Sequence, residues 1–206
     1  NKTNKFKQKI SLMAIFKKIG KRLSKAYFKE PKMTHEEWAT KKVYFPSQDI
    51  SPILGYFKIK FSPQYKLLFK LMDRPDVHTL FAKWASQSGK SLFEMLIIGY
   101  RLDNEPANVL YMQPIKDDIP KVLRLKINPV LKCIKDLWQK FEDYIATEGI
   151  RSKDAIKQLA GGSLVVSGSS VKERKSLTVP LLVMDEIGEF DKGAVKEASE
   201  RLKAFS

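Results

Sequence analysis

One cysteine and two histidines are all the soft or imidazole ligands that the 206-residue chain offers. Cys133 has no partner for an intramolecular disulfide, and with only His35 and His78 beside it no zinc-type cluster can be assembled. A reducing compartment is the corresponding expectation. Long apolar runs are equally scarce. Stretches such as residues 179–184 have the length of a strand and fall far short of the ~20 residues that cross a bilayer. The lysine-rich opening has no apolar core followed by small residues, so it does not read as a signal peptide and no secretion is expected. Acid is the other shortage. Twenty-three Asp and Glu face 38 Lys and Arg, a net charge of +15, which makes a polyanion or an anionic surface the first partner to consider.

The surplus is uneven. Residues 1–42 hold thirteen basic and three acidic side chains, a net +10, which leaves +5 for residues 43–206. The chain therefore divides into a basic arm over 1–42 and a nearly balanced body over 43–206. With 43% hydrophobic and 11% aromatic residues the body can bury a core, which excludes a disordered or collagen-like chain. In the arm, Leu12, Ile15, Phe16, Ile19 and Leu23 recur at helical spacing opposite Lys17, Lys18, Lys21, Arg22 and Lys25, a basic amphipathic helix weakened by Gly20. Such a helix docks on its own domain, contacts nucleic acid or a partner protein, or lies on a membrane surface, and its sequence leaves the three open.

Along the body, Ser62-Pro63 opens a helix bearing Leu67, Leu68, Leu71 and Met72 that stops at Asp73-Arg74-Pro75. Residues 78–84, rich in Thr, Leu, Phe and Trp, read as a strand broken by Ser88-Gly89. A helix over 90–102, a strand over 108–113, and a helix over 117–140 interrupted at Asn128-Pro129 follow. Residues 162–167 form a further strand, and the apolar run 179–184 reads as a last one, central and covered on both faces. Strands alternating with long helices predict an α/β layered sheet with helices on both faces, preceded by the basic helical arm.

Two motifs about 95 residues apart carry the chemistry. The first, Ala85-Ser86-Gln87-Ser88-Gly89-Lys90-Ser91, falls between a strand and a helix, where a phosphate-binding loop (Walker A) belongs. There Gly89 admits a close backbone approach and Lys90 brings a mobile positive charge to the β and γ phosphates, while the Ser91 hydroxyl can ligate Mg²⁺. The usual first glycine of the motif is replaced by Trp84, and Gly-Lys-Ser alone also occurs in chains without a nucleotide site. The second motif is the run Leu181-Leu182-Val183-Met184 ending in Asp185-Glu186 (Walker B). A buried strand would deliver Asp185 to the sheet edge to hold Mg²⁺, and Glu186 could polarise an attacking water. Solvated acids at a strand end are frequent, so each motif lends the other its weight. Together, in this order, they point to a P-loop NTPase of the additional-strand, catalytic-glutamate type.

These residues also resemble the large terminase subunits of tailed bacteriophages, particularly the lambda-like group, over most of residues 38–190. Trp38, Gly55-Tyr56-Phe57 and Ser62-Pro63-Gln64-Tyr65 look like the family's lead-in, and residues 85–91 look like its phosphate loop. Val109-Leu110-Tyr111-Met112-Gln113-Pro114, Ile127-Asn128-Pro129-Val130, Gly161-Gly162-Ser163-Leu164, Ser167-Gly168-Ser169 and Asp185-Glu186-Ile187 complete the order. The resemblance implies an ATPase that drives double-stranded DNA into a procapsid. ATP would lie on Gln64 and Tyr65 and on Gln87, Ser88, Gly89, Lys90 and Ser91, with Mg²⁺ on Ser91 and Asp185, and with Lys90 and Glu186 as the catalytic residues, Glu186 orienting the hydrolytic water. The family often carries an arginine where Ser86 and Leu177 stand; Arg174 and Lys175 lie close by as substitutes, with Arg174 the candidate arginine finger and its identity left open. The resemblance further implies a ring of subunits docked on the portal protein in the host cytoplasm. It also implies a small terminase subunit, which the arm would engage as an alternative to DNA, the two left unranked, together with no stable membrane contact and a nuclease domain in a longer full-length protein. A superfamily 2 helicase-like ATPase shares the same loop and Asp-Glu pair. A non-catalytic nucleic-acid-binding protein with a decayed phosphate loop is the rival of another class.

Overall fold

Thr34 opens the first helix among the described residues, α1 (His35–Lys42), with a capping box: its hydroxyl accepts from the Glu37 amide while the Glu37 carboxylate accepts from the Thr34 amide. The computed structural model describes residues 32–48, 50–85, 87–114, 119–148, 155–168 and 179–202. The chain divides into two compact units, Asn1–Met33 and Thr34–Ser206. The amphipathic helix expected in the arm lies outside the described residues, as does Arg174. The boundary read at 42/43 moves to 33/34, because α1 is part of the larger unit. Trp38 is fully buried, and its indole N–H donates to Asp103 Oδ2 at 2.8 Å. His35 stacks on Tyr100 and pairs through Nδ1 with Asp73 at 2.6 Å.

Behind α1, a short hairpin of β1 (Tyr44–Phe45) and β2 (Gly55–Tyr56) leads to α2 (Gln64–Met72). α2 starts after Pro63 and ends where the Asp73 amide bonds to Phe69 O, as the sequence indicates. α3 (Lys90–Asn104) is the longest helix among the described residues and packs on the sheet and on α1. Gly99 lets α1 come this close, since a Cβ there would meet Ile134 Cδ1 at 2.5 Å and Trp38 Cη2 at 3.0 Å.

The main sheet has the order β4-β5-β3-β6, with β3 (Asn108–Met112) parallel to both β5 (Gly162–Ser167) and β6 (Leu181–Met184). β4 (Ile156–Leu159) joins antiparallel to β5 through a turn in which Gly161 has φ +90°. By period-2 alternation, Leu110 and Met112 face Val179 and Ala198, the latter on α7 (Ala194–Ser199), while Val109 and Tyr111 face the side covered by α3. The layered α/β class read from the sequence is therefore what the chain adopts, with the sheet flanked by helices.

Three expectations are corrected. Residues 77–85 form no strand: they pair with nothing in either sheet, and Phe81 is 74% exposed. Strand-like composition cannot make a strand without a neighbour to receive its backbone groups. The run ending in Met184 is not central. Among the described residues β6 lies at the edge of the sheet and is half-buried, and β3, buried from Val109 to Met112, lies inside it. The long helix expected over 117–140 is segmented into α4 (Ile119–Val122), a π turn (Leu123–Ile127), α5 (Asn128–Lys132) and α6 (Lys135–Glu148). Pro129 has no N–H to give to Leu125, and the Asn128 amide reaches back five residues to Leu123 O instead.

Candidate functional site

β3, β5 and β6 all point the same way, and the chain passes from β3 to β5 on one side and then to β6 on the other. In such sheets the crevice beyond the carboxyl ends of the strands, where the order switches, is where ligands bind. Asp185 emerges there. Its amide bonds to Met112 O at 2.9 Å, which carries the ladder one residue past β6, and the residue is 3% exposed.

Lys90, the first residue of α3, sits across this crevice with Nζ 2.5 Å from Asp185 Oδ1 and 3.9 Å from Glu186 Oε1. Burial works against its charge, but the Asp185, Glu94 and Glu186 carboxylates outweigh that and hold its pKa above the usual lysine value. Asp185 Oδ2 accepts the Tyr111 hydroxyl at 3.0 Å and has Lys126 Nζ at 3.7 Å. Burial foremost, then the Glu94 and Asp185 charges, push the Tyr111 phenol up, so it remains a neutral donor. Glu94, one turn after Lys90, is half-buried near Asp185, and desolvation foremost, then the Asp185 charge, pushes its pKa up to about 8.

The loop that precedes Lys90 is bent by two residues of positive φ, Gln87 at +58° and Gly89 at +89°. Ser88 Oγ donates to Ala85 O at 2.6 Å. Tyr65 Oη donates to Gly89 O at 2.5 Å and Gln64 Nε2 to Ser88 O at 3.2 Å, so α2 holds the loop through its backbone. Beneath it Tyr65, Phe69, Trp84 and Phe93 form an aromatic floor, with ring centroids of 5.2 Å for Tyr65–Phe93 and 5.8 Å for Tyr65–Trp84. Tyr65 is 1% exposed and presents no face to a base. Its place in the structure is under the loop. No side chain caps α3, because the N-cap is Gly89. The N-terminus of this 15-residue helix and the Lys90 ammonium together suit an anion. Glu186 is itself in the left-handed region at φ +55°, and its side chain is 54% exposed beside the buried Asp185. A non-glycine residue held there is strained, a cost that tends to persist at functional sites.

Sequence reading thus brought Lys90, Asp185 and Glu186 to one place, with Gln64, Tyr65, Gln87, Ser88 and Gly89 around the adjoining loop and Ser91 in the first turn of α3. It missed Glu94, Tyr111 and Lys126. Glu94 left a signal, a lone carboxylate between the buried Phe93 and Met95 and four residues from Lys90. Lys126 left none.

Among the described residues no group of three or more His, Cys, Asp or Glu could hold a metal ion. A divalent cation here would depend on one or two carboxylates, a hydroxyl and the oxygens of a bound phosphate, the donor set that suits Mg²⁺. Residues 51–205 match the family described as phage terminase large subunit gpA, ATPase domain. The chain belongs to that family. It is accordingly an ATPase domain of the phage DNA-packaging type, and no helix among its described residues is long and apolar enough to cross a membrane. Neither the curated proteins nor the solved structures compared with this terminase domain gave a match.

Proposed function

We propose that the domain binds ATP with Mg²⁺ as a P-loop NTPase, hydrolyses it, and uses the cycle to translocate double-stranded DNA into a procapsid. The observation that supports this best is the meeting of Lys90 and Asp185 at 2.5 Å, from motifs 95 residues apart in sequence. In this reading Gln87, Ser88, Gly89, Lys90 and Ser91 receive the phosphates, with the N-terminus of α3 aimed at them. Ser91 and Asp185 would hold Mg²⁺, which when bound supplies charge neutralisation on the phosphate oxygens. Lys90 leaves Asp185 for the phosphates, since one ammonium cannot serve both. Glu186, exposed next to Asp185, orients the hydrolytic water. Gln64 and Tyr65 contribute by fixing the loop. A small terminase subunit, the portal protein and a ring of like subunits are the partners that family membership suggests, in the host cytoplasm.

The test is ATP turnover and nucleotide binding by the full-length protein. Lys90→Ala should lower turnover by at least about a hundredfold and weaken binding. Glu186→Gln should lower turnover as much while binding persists. Hydrolysis unchanged in both variants would overturn the site assignment.

A further inference from the structure

We infer that Lys126 is a second cation of this site, placed to contact the terminal phosphate of a nucleoside triphosphate from within the same chain; the inference rests on the nucleotide reading above. Asp185 has a lysine on each oxygen, Lys90 at 2.5 Å from Oδ1 and Lys126 at 3.7 Å from Oδ2. Only the first is a close pair. Oδ2 already accepts the Tyr111 hydroxyl, so the carboxylate is neutralised and hydrogen-bonded without Lys126. The Lys126 ammonium stands beyond hydrogen-bond range, and its side chain is 43% exposed, with room to turn.

The backbone brings it there by an irregularity. In the π turn Leu123–Ile127 the two end residues are buried while Arg124, Leu125 and Lys126 face outward, and the widened turn sits directly before Pro129. π turns of this kind occur frequently at functional sites. Charge completes the argument. Glu94, Asp185 and Glu186 face Lys90 and Lys126. Were Asp185 to hold a divalent cation, Lys90 and Lys126 would both be free to face another anion. Lys90 lies at the helix N-terminus, where a phosphate chain enters. Lys126 stands at the other oxygen of Asp185 from Lys90, so the phosphate farthest along that chain is the one it would meet. Phosphoryl transfer gains from a cation at that end, where charge builds during the reaction.

The experiment is equilibrium binding of a fluorescent, slowly hydrolysed ATP analogue and of the matching ADP analogue, each with Mg²⁺, to the full-length protein. Lys126→Ala should weaken the triphosphate about tenfold and leave the diphosphate within about twofold, and Lys126→Arg should restore the difference. Arg124→Ala, which removes a charge from the same turn, should change neither. Equal losses for the two nucleotides, no loss at all, or the same loss in Arg124→Ala would overturn the role of Lys126 while leaving the nucleotide site standing. A wild-type chain that binds neither nucleotide would overturn the site reading itself, and the inference with it.

Discussion

The loop that leads into α3 is held on one side by rings and faced on the other by charges, and the two sides behave differently. On the ring side Tyr65, Phe69, Trp84 and Phe93 pack edge to face and tilted, and Tyr65 ties Gly89 through its hydroxyl. These contacts need no ligand and are indifferent to salt. Such ring pairs contribute about 0.5–1.5 kcal/mol each beyond their buried area. On the charged side Lys90, Lys126, Asp185, Glu186 and Glu94 neutralise one another in part, with distances from 2.5 to 3.9 Å for the lysine–carboxylate pairs. That arrangement has to be exchanged when an anion arrives. The comparison teaches that the site is preorganised where it supports backbone and provisional where it would meet phosphate.

The sharpest way to break the comparison is to damage the ring side at the glycine it supports. Gly89→Ala places a side chain at φ +89° and drives its Cβ into the Tyr65 hydroxyl. Strain and collision together should cost about 2–4 kcal/mol, read as a lower urea midpoint with an unchanged slope. A midpoint unchanged from the wild type would mean that the loop is not built as described.

On the charged side the lever is pH. Glu94 has its pKa raised from 4.5 to about 8, chiefly by burial and then by Asp185, so the folded chain keeps a proton there that the unfolded chain has lost. Stability from this group is therefore present at low pH and is lost as pH rises from about 4.5 to about 8. Glu94→Gln should remove that decline, leaving its melting temperature at pH 8 above that of the wild type by roughly 3–6 °C. Parallel melting curves across the range would show that Glu94 is ionised in the folded state. The smallest effect is expected from Tyr65→Phe, which keeps the ring and removes one hydrogen bond to Gly89 O, about 1 kcal/mol. Thermal unfolding measures it, and its salt dependence should match that of the wild type.

Elements whose cause lies within a few residues could be read from the sequence. α2 has its proline start and polar stop, α3 has its apolar stripe after Gly89, and β5 follows a glycine pair. Lys90 and Asp185-Glu186 were legible for a related reason: each motif bundles its chemistry with the backbone that presents it. What failed depended on neighbours far away in sequence. Residues 78–84 have strand composition without a strand beside them, and β6 is apolar throughout yet lies at the rim of the sheet, in both cases among the described residues. α1 carried a legible capping box in Thr34 and Glu37, but its lysines at 41 and 42 merged it with the basic arm. Lys126 reaches Asp185 only because a helix widens ahead of Pro129, and no local pattern encodes that.

Among the described residues β6 pairs with β3 alone, with Val109, Leu110, Tyr111 and Met112 opposite Leu181, Leu182, Val183 and Met184. Strand side chains alternate between faces, so this ladder moves in whole residues and each step reverses every side chain. A single residue inserted between Leu181 and Met184 would carry Met184 into the place of Asp185 and turn the acid to the opposite face. The position of that carboxylate is thus counted rather than tuned. Deletions and insertions within those four residues should be far less tolerated than apolar substitutions of similar size.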